Sequence, residues 1–175
     1  MSFDLQPTLS GELVSLRPLR ADDHDALKEV AADPAIWAQH PAKERATPEG
    51  FRAFFDESLA TGGALVVIEE ATGEIIGSSR YFGLDEAASE VEIGWTFLAP
   101  RYWGGRYNGE VKRLMLAHAF RFVRHVVFLI HPENIRSQRA VMRIGGVLSE
   151  SRPDRRGGTS LVFRIDRPEA QDRGA

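Results

Sequence analysis

The stretch 97–110, F-L-A-P-R-Y-W-G-G-R-Y-N-G-E, constrains this chain more than any other part of it. It follows a strand-like run and opens onto a helical pattern. Gly104 and Gly105 let main-chain N–H groups turn inward with no Cβ in the way. The following helix points its unpaired first-turn N–H groups and the positive end of its dipole at the same place. Arg101 and Arg106 can add charge-assisted hydrogen bonds to phosphate oxygens, and no acid interrupts the stretch before Glu110. Such a loop suits the wrapping of an anionic group. Alone, it equally fits an ordinary strand-to-helix turn with surface arginines, so its context decides.

That context comes from hydrophobic periodicity. Residues 11–19 alternate and predict a first strand, near an edge because of Pro18. Ala26, Leu27, Val30 and Ala31 recur at helical spacing behind Asp22 and Asp23, and Asp33-Pro34 ends that helix. Residues 36–46 read as irregular. Thr47 caps a second helix with Pro48 at its first position and Phe51, Phe54, Phe55 and Leu59 on its apolar side. These helices and the segment between them read as a cover over a pocket. Residues 64–68 and 75–82 form a hairpin about Ala71-Thr72-Gly73. In residues 90–97, Val91, Ile93, Trp95 and Phe97 are expected on one face, with Glu90, Glu92, Gly94 and Thr96 on the other.

Residues 108–124 give the clearest helix, striped by Val111, Leu114, Met115, His118, Ala119 and Phe122. Residues 126–130 are a short apolar strand. Asn134 caps a helix running to about Ile144, which Gly145-Gly146 ends. Residues 147–151 and 159–165 are a last strand pair. The order predicts an α+β domain: a mostly antiparallel mixed sheet, flanking helices and one βαβ unit. The Gly-rich loop falls at that unit's turning point, where anions are expected to bind.

The 175 residues suit a single domain, with a core over about 11–166 and a disordered tail expected at 167–175. A net charge of -3 argues against a general nucleic-acid binder. The absence of cysteine excludes disulfides, thiolate metal sites and a cysteine nucleophile, and fits a cytoplasmic address. Residues 1–10 do not read as a signal peptide, and no apolar run reaches the roughly 18–20 residues that span a bilayer. The five histidines show no metal-ligand spacing, so no metal is expected.

Two motifs in this order resemble the GCN5-related N-acetyltransferase (GNAT) superfamily, and within it the RimJ/RimL type of ribosomal-protein acetyltransferase. Residues 100–108, P-R-Y-W-G-G-R-Y-N, stand where the family has its pyrophosphate loop, R/Q-x-x-G-x-G/A. Asn134-Ile135-Arg136-Ser137 stands where this group has N-x-x-S before its last main helix. The likeness covers about Leu13 to Ile165. It departs at Arg106, which takes the place of the second small residue, and at Gly146, where an aromatic is usual. The resemblance implies acetyl-CoA across splayed strands, its pyrophosphate on the backbone of Gly104, Gly105, Arg106, Tyr107 and Asn108. It implies pantetheine pairing at Phe97 and Leu98, with Asn134 bonded to the cofactor arm. The activity implied is acetyl transfer to a primary amine, of a protein N-terminus or a small molecule. A CoA-binding sensor or scaffold without turnover is the alternative. The chain is expected to act as a monomer or homodimer, with no nucleic-acid or membrane partner.

Acyl transfer to an amine needs a base, an oxyanion stabiliser and a way for the thiolate to leave. Glu92 is the candidate base, sharing a strand face with Gly94; an exposed strand carboxylate is the other reading. Ser137 is the candidate donor to the sulfur, since no tyrosine lies in residues 134–144; a serine satisfying first-turn amides is the other. For Asn134, capping and cofactor contact can coexist. Trp37, His40 and Phe82 border the expected acceptor site, although Trp37 and Phe82 also read as core.

Overall fold

One eight-stranded sheet takes up the alternating segments. The structure, a computed structural model, describes residues 2–169. Strand β1 (Leu9–Ser10) leads to β2 (Val14–Pro18), followed by α1 (His24–Ala31), α2 (Pro34–Trp37) and α3 (Pro48–Ala60). Strands β3 (Ala64–Glu69), β4 (Ile75–Asp85) and β5 (Glu90–Leu98) follow, then α4 (Arg106–Ala119) and β6 (His125–Ile130). Helix α5 (Ile135–Arg143), β7 (Val147–Pro153) and β8 (Thr159–Asp166) complete the chain. The sheet order is β1-β2-β3-β4-β5-β6-β8-β7. Every neighbouring pair is antiparallel except β5–β6. The chain therefore has the expected mixed, mostly antiparallel fold with its βαβ unit at β5–α4–β6.

The sheet separates two apolar layers. Tyr81, Val91, Ile93 and Val126 pack with Val111, Met115 and Ala119 of α4. Leu27, Trp37, Phe51, Phe54 and Phe55 of the three early helices pack with Val66 and Phe97 on the other face. Burying aliphatic and aromatic side chains on both faces supplies the main driving force for this arrangement. His118 lies on the apolar side of α4, as expected, with Nε2 2.7 Å from the Asp4 carbonyl.

Local differences from the sequence reading have local causes. Asp33-Pro34 ends α1 but also starts α2: Asp33 accepts the Ala35 N–H at 2.9 Å and Pro34 takes the first helical position. Residues 36–46 are thus partly helical, with a further 3-10 turn at Lys43–Ala46. Helix α4 starts at Arg106, two residues early, because Gly105 at φ 112° serves as its cap residue. It ends at Ala119, and turns replace the expected helix beyond Phe120.

The expected single face of β5 is broken. Trp95 has φ 52°, and the β4–β5 register shifts between Ser78↔Phe97 and Arg80↔Gly94. This bulge resets the alternation. Val91 and Ile93 stay in the α4 layer and Leu98 joins them, while Trp95 and Phe97 pass to the layer of α1–α3. Of the tail expected at 167–175, Arg167 donates its N–H to the Arg124 carbonyl at 2.8 Å, and residues 170–175 lie outside the described ones.

Candidate active site

Strands β5 and β6 pair only at Glu90↔His125, Val91↔Val126 and Glu92↔Val127. Beyond that point they splay, and the β6-facing edge of β5 has no strand partner. A groove of about 500 Å³ opens there. Its walls come from the β5 bulge, the start of α4, the end of β6, the first turns of α5, and α2 with its following turn.

The loop at the groove's head is held by its own tyrosines. The hydroxyls of Tyr102 and Tyr107 donate to the two oxygens of Glu69, at 2.8 and 3.0 Å. Thr72 also donates to Glu69, and these hydrogen bonds, led by that of Thr72, hold its carboxyl below the usual range. The Trp103 indole donates to the Leu98 carbonyl at 2.9 Å. Between these anchors Gly104 and Gly105 adopt φ values of 108° and 112°, which only glycine takes without strain. Among the described residues, the N–H groups of Gly104, Gly105, Arg106, Tyr107 and Asn108 have no protein acceptor. The segment is solvent-accessible. Five unpaired amides at a helix N-terminus form a cradle that suits a diphosphate.

Asn134 is buried and lines the groove. Its carbonyl oxygen accepts the Ser137 N–H at 3.2 Å, which caps α5. Its amide nitrogen has no acceptor among the described residues and is free to donate into the groove. Ser137 lines the same wall. Arg136 ties α5 to the cover: it donates to the Ala35 and Ile36 carbonyls and lies 4.1 Å from the centre of the Trp103 ring.

The structure brings together Trp37, His40, Phe97, Leu98, Gly104, Gly105, Asn108, Asn134 and Ser137 around one groove. Arg101, Arg106 and the Tyr107 side chain are not in its lining. Arg101 turns away to Glu74 at 2.9 Å, and Arg106 is exposed. The cradle at the groove's head is therefore built of main chain rather than of arginines.

Glu92 and Phe82 stand just outside the lining, opposite each other in the β4–β5 ladder. The Glu92 carboxylate leans over Gly94, a lining residue, within 3.2 Å of where a Cβ there would lie. The space left by Gly94 is thus taken in part by this carboxylate. Burial pushes the Glu92 carboxyl up to about 7 against the pull of Arg155, Arg80 and Arg152. It accepts no hydrogen bond from the described residues. Phe82 packs on Trp95 with ring centres 5.4 Å apart. His40 takes the Ala42 N–H on Nδ1 at 2.9 Å. Burial and the nearby Arg45 and Arg156 push the His40 ring down to about 4, so it stays neutral, with its proton on Nε2.

Lys112 and Arg45 are among the lining residues that sequence reasoning did not single out. Lys112 is buried in the floor, bonded to the hydroxyls of Thr96 and Ser79, and burial pushes its ammonium down to about 7. It belongs to the Asn108–Lys112–Met115–Ala119 side of α4, so its spacing was a usable signal. Arg45 lies over the Phe54 ring at 4.3 Å; its position in an irregular segment gave none. Among the described residues there is no metal-ligating cluster, and no helix is long and apolar enough to cross a membrane.

Comparison with known proteins agrees with this geometry. The solved GCN5-related N-acetyltransferase from Brucella melitensis superposes with a TM-score of 0.80 at 22% identity, over 92% of this chain and 79% of that one. An acetyltransferase from Agrobacterium tumefaciens is 27% identical, with a TM-score of 0.70, over 92% and 95%. Mycobacterium smegmatis RimJ, solved in complex with CoA-disulfide, is 19% identical, with a TM-score of 0.69, over 95% and 90%. The family model for the acetyltransferase (GNAT) domain matches residues 14–147, which include the splayed strands and the amide cradle. The chain therefore belongs to the GNAT acetyltransferase family.

Proposed function

We propose that this protein is an acetyl-CoA-dependent N-acetyltransferase that passes the acetyl group directly to a primary amine within a ternary complex. The observation that carries the reading is the cradle of five unpaired amides opening onto a groove that runs toward Glu92. Bound acetyl-CoA supplies the activated acyl thioester. The amides from Gly104 to Asn108 hold its diphosphate, the open edge of β5 pairs with its arm, and the Asn134 amide donates to the same arm. Glu92, in its carboxylate form, takes the proton from the acceptor ammonium or from the amine as it attacks. The Ser137 hydroxyl donates to the departing sulfur. Without cysteine, no acyl-cysteine intermediate stands between donor and acceptor. The cysteine-free composition also supports a cytoplasmic setting.

The test combines Gly104→Asp, which puts a carboxylate in the cradle, with Asn134→Ala, which removes the arm contact. Titration calorimetry is expected to show no acetyl-CoA binding to this double variant, with its circular dichroism unchanged. Unchanged affinity would remove the placement. Acetyl-CoA binding to the parent without transfer to any amine of a broad panel would favour a CoA-binding module instead.

A further inference from the structure

The acceptor end of the groove holds guanidiniums that no acid of the described residues pairs. Arg45 lines it, with its guanidinium over the Phe54 and Trp37 rings at 4.3 and 5.5 Å. Arg155, from the β7–β8 turn, lies over Phe82 and Trp95 at 3.8 and 5.3 Å. Neither guanidinium has a hydrogen-bond acceptor among the described residues, whereas nearby Arg156 and Arg152 are paired with Glu44 and Glu90. Beneath them Arg80, 1% exposed, bonds Glu57 and Ser58 but leaves its Nε without a partner. Glu92, which accepts no hydrogen bond among the described residues, lies within the field of Arg155 and Arg80.

Position separates this cluster from the amide cradle. Arg80 pairs with Gly94, which lies four residues back along β5 from Leu98 and the cradle beyond it. Two arginines stacked on aromatic faces are pre-organised to receive a planar carboxylate or a phosphate. A cationic acceptor such as a polyamine would add charge of the same sign. A neutral amine would leave the half-buried Arg45 guanidinium unanswered.

Resting on the acetyltransferase reading, we infer that the acceptor is a small amine carrying its own carboxylate or phosphate, with the anion on Arg45 and the amine at Glu92. Amino-acid-like molecules fit; polyamines and aminoglycosides do not.

The experiment measures CoA release with a set of amino acids, each beside its carboxamide and its decarboxylated amine. Spermidine and C-terminally amidated peptides, with and without an acidic second residue, complete the panel. The free acids are expected to be preferred. Arg45→Met should raise KM for them about 10- to 100-fold, with kcat and acetyl-CoA affinity little changed. Arg45→Lys should recover part of the loss, and the preference for acid over carboxamide should collapse only in the methionine variant. Preference for spermidine, for the carboxamides or for either peptide overturns the inference. So does an acid-to-amide ratio that Arg45→Met leaves intact, or a lack of transfer to any free acid while acetyl-CoA binds. Failure of acetyl-CoA to bind overturns the acetyltransferase reading itself.

Discussion

At the residue scale, burial moves two ionisable groups at the groove toward neutrality from opposite sides. Glu92 is raised to about 7, so its carboxylate form, the one able to take a proton, is lost as pH falls through that value. The pH profile of kcat/KM should therefore fall below pH 7. In Glu92→Gln that limb should vanish and kcat should drop about 100-fold or more, the lower range for a positioned base. Acetyl-CoA affinity should be unaffected; retention of full rate across pH 6–9 removes Glu92 as base. Lys112 moves the other way, to about 7 from an ordinary 10.5, because burial disfavours its charge. Between those pH values the unfolded chain holds a proton that the folded chain lacks, so this lysine makes the protein more stable as pH rises from 7 toward 10.5. Lys112→Met should melt higher than the parent at pH 7, by about 2–4 °C per kcal/mol at this chain length. The gap should close by pH 10. Ser79 and Thr96, 2.8 Å apart, remain bonded to each other in that variant. Parallel melting curves at both pH values would show that Lys112 is charged in the fold.

At the element scale, α4 is fixed at both ends of its first turn. Gly105 starts it, and Glu110 accepts three N–H groups from the β1–β2 turn: Glu12 at 3.2 Å, Leu13 at 2.7 Å and Val14 at 2.9 Å. Although burial raises the Glu110 carboxyl, these donors hold it below its usual range. Glu110→Ala leaves them unpaired and should cost about 1.5–3 kcal/mol, the range for hydrogen bonds to a charged group. Chemical denaturation checks this, with a shifted midpoint at unchanged slope; an unshifted midpoint would mean that the turn is satisfied by water. Sequence reasoning found what is set locally. The caps at Thr47 and Asn134 and the glycines before α4 were readable because each signal lies within four residues of the structure it makes. The β5 bulge was not, since a positive φ at Trp95 is imposed by pairing with β4 across the sheet rather than by the residue itself. The same holds for Glu69, where three hydroxyls from positions 72, 102 and 107 meet.

At the scale of the whole molecule, the order of strands and helices was readable because two apolar layers force alternation in the strands and helical spacing in the elements that cover them. The amide cradle was readable too, in outline. The two arginines whose charge suggested phosphate ligands stand outside the groove lining: tertiary contacts direct Arg101 to Glu74 and leave Arg106 in solvent. Of the cations that line the groove, Arg45 comes from the cover and Lys112 from the floor, with Arg136 and Arg143 on α5. The proposed function rests on the departure of β5 from β6 after Glu92↔Val127, which leaves a strand edge and a helix start open side by side. The central claim is that the main-chain amides from Gly104 to Asn108 hold a diphosphate. Amide resonances followed by nuclear magnetic resonance during a CoA titration test it most directly. The account predicts large downfield shifts and new protection from exchange at those five amides, saturating with binding. Binding that shifts resonances elsewhere and leaves these five in place would contradict it.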